Sequence, residues 1–177
     1  MRQIVLLRGI NVGARNRIAM PQLRELLTGA GFADVRTYVQ SGNVVLDSDA
    51  PPEQLADEVA SHICDGLGLH IDVVARTRDE LAEVVRRNPL ADVAVDPKRY
   101  QVSFLSAALQ EEAVRAIAAL AVESERFAAI DRELYVWHPE GIARSRLWTH
   151  LAGRKLGVTA TARNWRTVTA LLAMAEE

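Results

Sequence analysis

The sequence predicts an α+β fold built from two tandem ferredoxin-like βαββαβ units, each with an appended helix. Two observations support this prediction. Apolar residues switch repeatedly between strand spacing and helical spacing, and the order of elements in the first half of the chain recurs in the second half. The repeat lies in the order of the elements and not in residue identity. We therefore expect units at residues 1–91 and 92–177, packed as one compact chain, with 92–99 as the connector.

The first unit opens with a continuous apolar run at residues 4–7, which is typical of a central strand buried on both faces. A polar loop follows, and helical spacing begins at Met20, with Pro21 in the first turn and Gly29 near the end. The later elements are predicted as a strand at 35–40, a two-residue turn at 41–42, a strand at 43–47, a helix from 51 ended by Gly66 and Gly68, a strand at 70–75, and a helix capped by Thr77 and stopped at 88–89.

The second unit repeats this order. Its elements are predicted as a strand at 100–106, a helix at 111–121, a hairpin of 126–130 and 134–138, a helix near 145–155, a strand at 158–161 and a last helix containing Trp165. In a ferredoxin-like sheet the first and third strands are antiparallel neighbours. The topology therefore places the loop after strand one, which begins at Arg8, beside Ser41, Gly42 and Asn43.

The composition is that of an ordinary globular protein. The chain has 177 residues, of which 49% are apolar and 25% charged, and its net charge is −2, so bulk charge indicates no polyanionic partner. The single Cys64 excludes an intramolecular disulfide, and its spacing from His62 matches no zinc motif, so no metal is predicted. The apolar run after Met1 is too short for a signal-peptide core or a membrane span. We expect a cytoplasmic protein without a membrane partner.

The distribution of charge is more informative than its total. The first 24 residues contain five arginines and no acid, and residues 141–175 contain six cations and no acid. The acids are concentrated in the middle of the chain. If the two basic regions meet, the protein has one basic face suited to an anionic partner; the alternative is that these cations are dispersed over the surface.

The loop after the first strand contains the pattern Gly9-x-Asn11-x-Gly13. Such a loop brings backbone N–H groups close to an anion, and asparagine tolerates a left-handed backbone. The pattern is not a P-loop, because no Lys-Ser or Lys-Thr follows, and the spacing of a dinucleotide-binding fingerprint is absent. A plain tight turn is the alternative.

Three further segments contain turn or cap residues, and the last two of them also contain cations. Ser41-Gly42-Asn43 suits a hairpin and lacks the surroundings of a nucleophilic serine. Ser145 is predicted to cap a helix between Arg144 and Arg146, which suits phosphate or carboxylate, although an ordinary capped helix explains the pattern too. Thr161 is predicted to cap the last helix, where Trp165 is either a core residue or a stacking platform for a base. No acid–base pair is apparent in these loops.

Five segments together resemble the bacterial domain-of-unknown-function 1697 family: LLRGINVGARNR at 6–17, TYVQSGNVVL at 37–46, NPL at 88–90, GIARSRL at 141–147 and ATARNWRTV at 160–168. The resemblance implies an α+β fold with two ferredoxin-like units and no settled activity, so no catalytic role transfers. It marks signature positions at Arg8, Asn11, Gly13, Asn16, Ser41, Gly42, Asn43, Gly141, Arg144, Ser145, Arg163, Asn164 and Trp165. Ala14, Arg15, His138 and Arg146 depart from the family pattern, in which glycine, lysine, tyrosine and lysine are common.

The leading hypothesis is a protein that binds a phosphate-bearing small molecule or nucleic acid at a basic, loop-lined edge. The predicted ligand-binding residues are Arg8, Asn11, Gly13, Asn16, Ser41, Asn43, Arg144, Ser145, Arg163, Asn164 and Trp165. One alternative is an enzyme of phosphoryl transfer or hydrolysis, for which a concave pocket holding an acid of raised pKa would be the sign. Another is a protein-interaction or homodimer module. The sequence identifies no catalytic residue, cofactor or oligomeric state.

Overall fold

The computed structural model describes all 177 residues and contains two four-stranded antiparallel sheets and six helices. The strand orders are β2-β3-β1-β4 and β6-β7-β5-β8. Each sheet therefore has the order of a ferredoxin-like unit, and the predicted duplicated α+β fold is confirmed.

The elements follow the predicted order. In the first half they are β1 (Arg2–Leu7), α1 (Met20–Gly29), β2 (Ala33–Tyr38), β3 (Asn43–Asp47), α2 (Pro52–Leu67), β4 (Val73–Thr77) and α3 (Arg78–Arg87). In the second half they are β5 (Tyr100–Leu105), α4 (Glu111–Ala118), β6 (Arg126–Ile130), β7 (Glu133–Trp137), α5 (Arg146–Ala152), β8 (Ala160–Asn164) and α6 (Trp165–Glu176).

The chain forms two compact units. The first comprises Met1–Glu83 and Leu171–Glu177, and the second comprises Val84–Ala170. The residues of α3 and α6 are thus divided between the units. The division into 1–91 and 92–177 stays a prediction about domains, and each unit is described below by itself.

The core of the first unit follows from its sequence pattern. The apolar run of β1 is buried from Gln3 to Leu7 because this strand lies between β3 and β4. On one face, Leu23 and Leu27 of α1 and Leu55, Val59 and Ile63 of α2 join the apolar side chains of the sheet. Such apolar stripes at helical spacing bury one face of each helix.

Local signals determine where the helices begin and end. In α2, Pro52 stands in the first turn, and Gly68 closes the helix in a left-handed conformation with its N–H donating to the Cys64 carbonyl at 2.9 Å. Thr77 caps α3 as predicted: its Oγ1 accepts from the Glu80 N–H at 3.1 Å, and its own N–H donates to the Glu80 carboxylate at 2.8 Å.

Several predicted boundaries are wrong by a few residues. The turn after β2 has four residues, 39–42, and not two, because Tyr38 already pairs with Asn43. β4 begins at Val73 and not at residue 70, α4 ends at Ala118 and not at 121, and α5 ends at Ala152 and not at 155.

The largest error concerns β8, which covers Ala160–Asn164 and not 158–161, since Asn164 still pairs with Gln101 of β5. Thr161 therefore belongs to a strand and caps no helix. Its predicted role falls to Asn164, whose Oδ1 accepts from the Thr167 N–H at 2.9 Å.

Candidate functional site

The loop after β1 lies against the turn before β3, as the topology predicts. Leu6 is opposite Asn43 in the antiparallel ladder, and the Leu7 N–H donates to the Gly42 carbonyl at 2.9 Å. We call residues 8–19 together with 39–43 the loop edge of the first unit. It contains six of the predicted ligand-binding residues, which are Arg8, Asn11, Gly13, Asn16, Ser41 and Asn43.

Asn11 holds the loop edge together. Its Nδ2 donates to the carbonyls of Ile18 at 2.9 Å and Gln40 at 2.6 Å, and its Oδ1 accepts from the Ile18 N–H at 2.9 Å. Its own N–H donates to the Asn16 carbonyl at 3.0 Å. Asn11 and Asn16 have φ angles of 53° and 52°, which asparagine tolerates better than most residues. Both donors of the Asn11 amide are thus used to fix the loop.

The turn at 39–43 is fixed in the same way. Asn43 is fully buried, and its Nδ2 donates to the Tyr38 carbonyl at 3.1 Å and to Ser41 Oγ at 3.0 Å. Gly42 has a φ of 75°, and an added Cβ would lie 2.7 Å from Leu7 Cβ. Val39 is 54% exposed and has a φ of 50°, a strained conformation for a β-branched residue.

The cations of the loop edge differ in their surroundings. The Arg8 N–H donates to the Asp72 carbonyl at 2.9 Å, and its Nη1 lies 3.7 Å from Asp72 Oδ2. Asp72 was not identified from the sequence as part of this region. Arg15 and Arg17 are exposed, and neither has a salt-bridge partner. Gly13, with a φ of 68°, is exposed beside them. The loop edge therefore presents two unpaired guanidinium groups on a fixed backbone.

The other predicted residues, Arg144, Ser145, Arg163, Asn164 and Trp165, belong to the second unit. They lie at the edge of its sheet where β5 begins, because Tyr100 pairs with Trp137 and Gln101 with Asn164. In the second unit, the loop that corresponds to the Arg8 loop follows Leu105, at the opposite end of β5. The two predicted groups thus occupy non-equivalent edges of their sheets.

Most of these side chains have internal partners. Arg163 is buried, and its Nη1 donates to Thr161 Oγ1 at 2.8 Å and to the Ala162 carbonyl at 2.9 Å. Burial lowers the pKa of Arg163 to about 10, so it remains a cation at neutral pH. The Trp165 ring stacks on Tyr100 at a centroid distance of 4.8 Å, which covers one face of the indole. Burial raises the pKa of Tyr100 to about 12.

Ser145 caps α5 as predicted, with its Oγ accepting from the Trp148 N–H at 3.0 Å. Beside it lies a cavity of about 350 Å³, whose lining includes Val122, Glu125, Glu140 and Arg144. A small-molecule site has about this volume or more.

Two members of a buried polar cluster, Glu125 and Ser145, line this cavity. Glu125 Oε2 accepts from Ser145 Oγ at 2.6 Å and contacts His138 Nδ1, and Glu125 Oε1 accepts from the Val122 N–H at 3.2 Å. Glu125, His138 and Ser145 are all less than one tenth exposed. We call these three residues the buried cluster. Sequence reasoning missed Glu125, which no motif marks, and noted His138 as a departure from a family pattern and as one of several scattered histidines.

The pKa values in the buried cluster shift in the same direction. Burial raises the pKa of Glu125, but hydrogen bonds from Ser145, Val122 and His138 outweigh this effect and lower it overall. Burial lowers the pKa of His138 more than the neighbouring carboxylate raises it. The structure agrees with a neutral imidazole. Nε2 is buried and has no hydrogen-bond partner, so an N–H at this atom would have no acceptor.

The order of contacts in this cluster differs from that of a serine hydrolase. In such a triad the histidine lies between the serine and the acid. Here the carboxylate lies between, and Ser145 Oγ donates to Glu125 and not to His138. The structure contains no group of three or more His, Cys, Asp or Glu side chains positioned to hold a metal ion.

The comparisons with known proteins identify a family. The model of "Protein of unknown function (DUF1697)" matches residues 1–135. The chain belongs to the DUF1697 family. No curated protein matches the chain. A solved structure of a conserved bacterial protein from Streptococcus pneumoniae is similar at 21% identity, covering 98% of each chain with a TM-score of 0.80. At this identity the likeness establishes the shared fold.

The DUF1697 match includes the loop edge and Glu125 but ends before His138 and Ser145. The sequence motifs at 141–147 and 160–168 therefore lie outside the matched residues. None of the six helices has both the length and the apolar character required to cross a membrane.

Proposed function

We propose that this DUF1697 protein binds a phosphate-bearing ligand, a nucleotide or a nucleic acid, at the loop edge of its first unit. The observation that carries the proposal is the pair of exposed, unpaired guanidinium groups of Arg15 and Arg17 on a loop held in shape by Asn11. A fixed loop loses little conformational entropy on binding, which favours affinity. Guanidinium groups also match the geometry of phosphate oxygens.

Three other features of the loop edge suit the same ligand. Arg8 adds a third cation, screened in part by Asp72 at 3.7 Å. Gly13 leaves the backbone between Arg15 and Asn11 open to close approach. Ser41, whose Oγ accepts from Asn43 Nδ2 at 3.0 Å, is exposed at the neighbouring turn. Asn11, Asn16 and Asn43 enter the proposal as residues that shape the site, and ligand contacts by them remain predictions.

The residues of the second unit are not needed for this proposal. Arg144, Ser145, Arg163, Asn164 and Trp165 remain predicted ligand contacts, but two carboxylates line the cavity beside Arg144, which disfavours a multiply charged phosphate there. An enzymatic function is not proposed: a general acid in that cavity would have a raised pKa, whereas the hydrogen bonds that Glu125 accepts lower its pKa.

Fluorescence anisotropy with labelled single-stranded oligonucleotides and with ATP, at several salt concentrations, tests the proposal. We expect the double variant Arg15→Ala/Arg17→Ala to weaken binding at least tenfold. For an oligonucleotide, the slope of log affinity against log salt should fall by about 1.4, since each phosphate contact on a single strand contributes about 0.7.

The matched control is Arg78→Ala/Arg115→Ala, which removes the same charge from exposed arginines that are paired with Asp79 and Glu111 elsewhere. An equal loss of binding affinity in both double variants would mean that binding depends only on net charge, and this would refute a site at the loop edge. Absence of binding by the unmodified protein to oligonucleotides, ATP and inorganic phosphate would refute the function itself and favour the interaction-module hypothesis.

A further inference from the structure

The cavity of the second unit has a charge arrangement that the phosphate proposal leaves unexplained. Its lining includes Glu125, which is buried, and Glu140 and Arg144, which are exposed. Neither Glu140 nor Arg144 forms a hydrogen bond or ion pair within the protein. One cation and one anion are therefore both available at the opening of a cavity of about 350 Å³.

Glu125 is a buried anion without a cation in contact. Its donors are the Ser145 hydroxyl, the Val122 N–H and His138 Nδ1. The imidazole of His138 is neutral, because its buried Nε2 has no hydrogen-bond partner and burial lowers its pKa. Hydrogen bonds from neutral donors stabilise a carboxylate but leave its charge in place. A buried charge without an opposite charge is unusual in proteins. The cavity thus has a negative wall that favours a cationic group.

The rest of the lining defines the ligand further. Two carboxylates and one guanidinium disfavour a phosphate group, and no group of three or more His, Cys, Asp or Glu side chains is positioned there to hold a metal ion. A simple amine would leave Arg144 without a partner. A molecule with both an ammonium and a carboxylate group matches the two signs of charge. Val122 and Ala143, which also line the cavity, offer apolar surface to the carbon skeleton of such a molecule.

We propose that this cavity binds a small zwitterion, a free α-amino acid, with its ammonium group towards Glu125 and Glu140 and its carboxylate paired with Arg144. Guanidinium and carboxylate groups form bidentate pairs, which gives this end of the site its selectivity. The cavity is thereby a second site, distinct in residues and in ligand chemistry from the loop edge.

Isothermal titration calorimetry of the full chain tests this proposal. The probes are L-alanine, L-leucine, L-methionine, L-glutamate and L-lysine, followed by the N-acetyl and carboxamide derivatives of the tightest binder. We expect saturable binding of at least one amino acid and a loss of at least tenfold in affinity for each derivative, because acetylation removes the cation and amidation removes the anion. Failure of all five amino acids to bind would overturn the proposal, as would equal binding of the carboxamide.

Variants assign the two charges to residues. Glu140→Gln and Arg144→Gln change exposed side chains, so both proteins should fold, and each should weaken amino-acid binding at least tenfold. In Arg144→Gln the acid and the carboxamide should bind equally well. Glu112→Gln on α4 is the matched control, an exposed glutamate of the same unit, and should bind as the unmodified protein does. Unchanged affinity in Arg144→Gln would overturn the assignment.

The two proposals fail independently. The double variant Arg15→Ala/Arg17→Ala changes the loop edge, so it should weaken the binding of phosphate-bearing ligands. Its affinity for amino acids should be unchanged. If Arg144→Gln abolished ATP binding and left amino-acid binding intact, the cavity would belong to the phosphate site and the zwitterion proposal would be wrong.

Discussion

The amide of Asn11 donates to the Gln40 carbonyl at 2.6 Å, and this hydrogen bond joins the loop after β1 to the turn between β2 and β3. The two segments are 29 residues apart in the sequence. The same amide also bonds to the Ile18 backbone in both directions. A single side chain thus links the two segments of the loop edge.

We predict that Asn11→Gly destabilises the protein by about 1–3 kcal/mol, because three hydrogen bonds are lost and the partner carbonyls are left unsatisfied. Glycine is chosen since it accepts the φ of 53° without strain. Urea unfolding monitored by circular dichroism measures the change. Asn16→Gly is the control, with a φ of 52° and no side-chain hydrogen bond, and should shift stability by only about 0.5 kcal/mol. Equal effects of the two changes would contradict the role of Asn11.

A second prediction concerns Gly42. Gly42→Ala places a Cβ 2.7 Å from Leu7 Cβ and 2.8 Å from Ile10 Cδ1, at a φ of 75°. We expect the free energy of unfolding to fall by about 2–4 kcal/mol. Left-handed strain contributes about 1 kcal/mol of this and overpacking about 1–3 kcal/mol. Gly13→Ala, at a φ of 68° in open space, isolates the strain and should lose only about 1 kcal/mol. Thermal unfolding of both variants measures the difference between their stabilities. That difference should vanish only if Leu7 and Ile10 can move away from the added Cβ without cost.

The buried cluster predicts how stability depends on pH. The native pKa of His138 lies below its ordinary value of 6.5, so the unfolded chain binds more protons than the native protein as the pH falls past that value. This contribution to the free energy of unfolding is present above 6.5 and is lost as the pH falls through the lowered native value. Glu125, with a pKa below its ordinary 4.5, extends the loss to more acidic pH.

The variant His138→Gln tests this prediction, since glutamine has no proton to gain near neutral pH and still offers an N–H to Glu125. Urea unfolding at about pH 7.5 and about pH 5.5 should show a larger loss of stability for the unmodified protein than for His138→Gln. His150→Gln, a change at a histidine outside the cluster, should leave the pH dependence as it is. If His138→Gln and the unmodified protein lost stability in parallel, the neutral buried imidazole would be disproved.

The fold was predictable from the sequence because its signals are local and repeated. The apolar run of β1, the capping pair of Thr77 and Glu80, and the proline and glycine at the ends of α2 each act within a few residues. The topology then followed from the order of the elements. The predicted element boundaries were wrong where strand pairing extends an element beyond its local sequence signals. Asn164, for example, remains in β8 because it pairs with Gln101 of β5.

The candidate sites were predictable only in part. A Gly-x-Asn-x-Gly loop contains left-handed residues in either case, whether its asparagine binds a ligand or fixes the loop. The pattern therefore did not reveal the hydrogen bonds from Asn11 to Ile18 and Gln40. The buried cluster was not apparent for a different reason. Glu125 lies 13 residues before His138 and 20 before Ser145, and only the tertiary fold brings the three side chains together.

Ser145 links the helix cap to the buried cluster, so Ser145→Ala should have a larger effect than loss of an ordinary cap. Its Oγ accepts from the Trp148 N–H and donates to Glu125, and loss of a cap costs about 1 kcal/mol whereas a hydrogen bond to a charged group contributes about 1.5–3 kcal/mol. We expect the free energy of unfolding, measured with urea at neutral pH, to fall by about 2.5–4 kcal/mol in total.

The same change should raise the pKa of Glu125, because it removes the hydrogen bond that the Ser145 hydroxyl donates to this carboxylate at 2.6 Å. The acid limb of the stability profile should therefore begin at a higher pH in Ser145→Ala. Ser124→Ala, which alters the same cavity without a hydrogen bond to the carboxylate, is the control and should leave both stability and the acid limb nearly unchanged. A loss of stability without movement of the acid limb would mean that Ser145 acts on the helix alone and that the Glu125 carboxylate is held by its other donors.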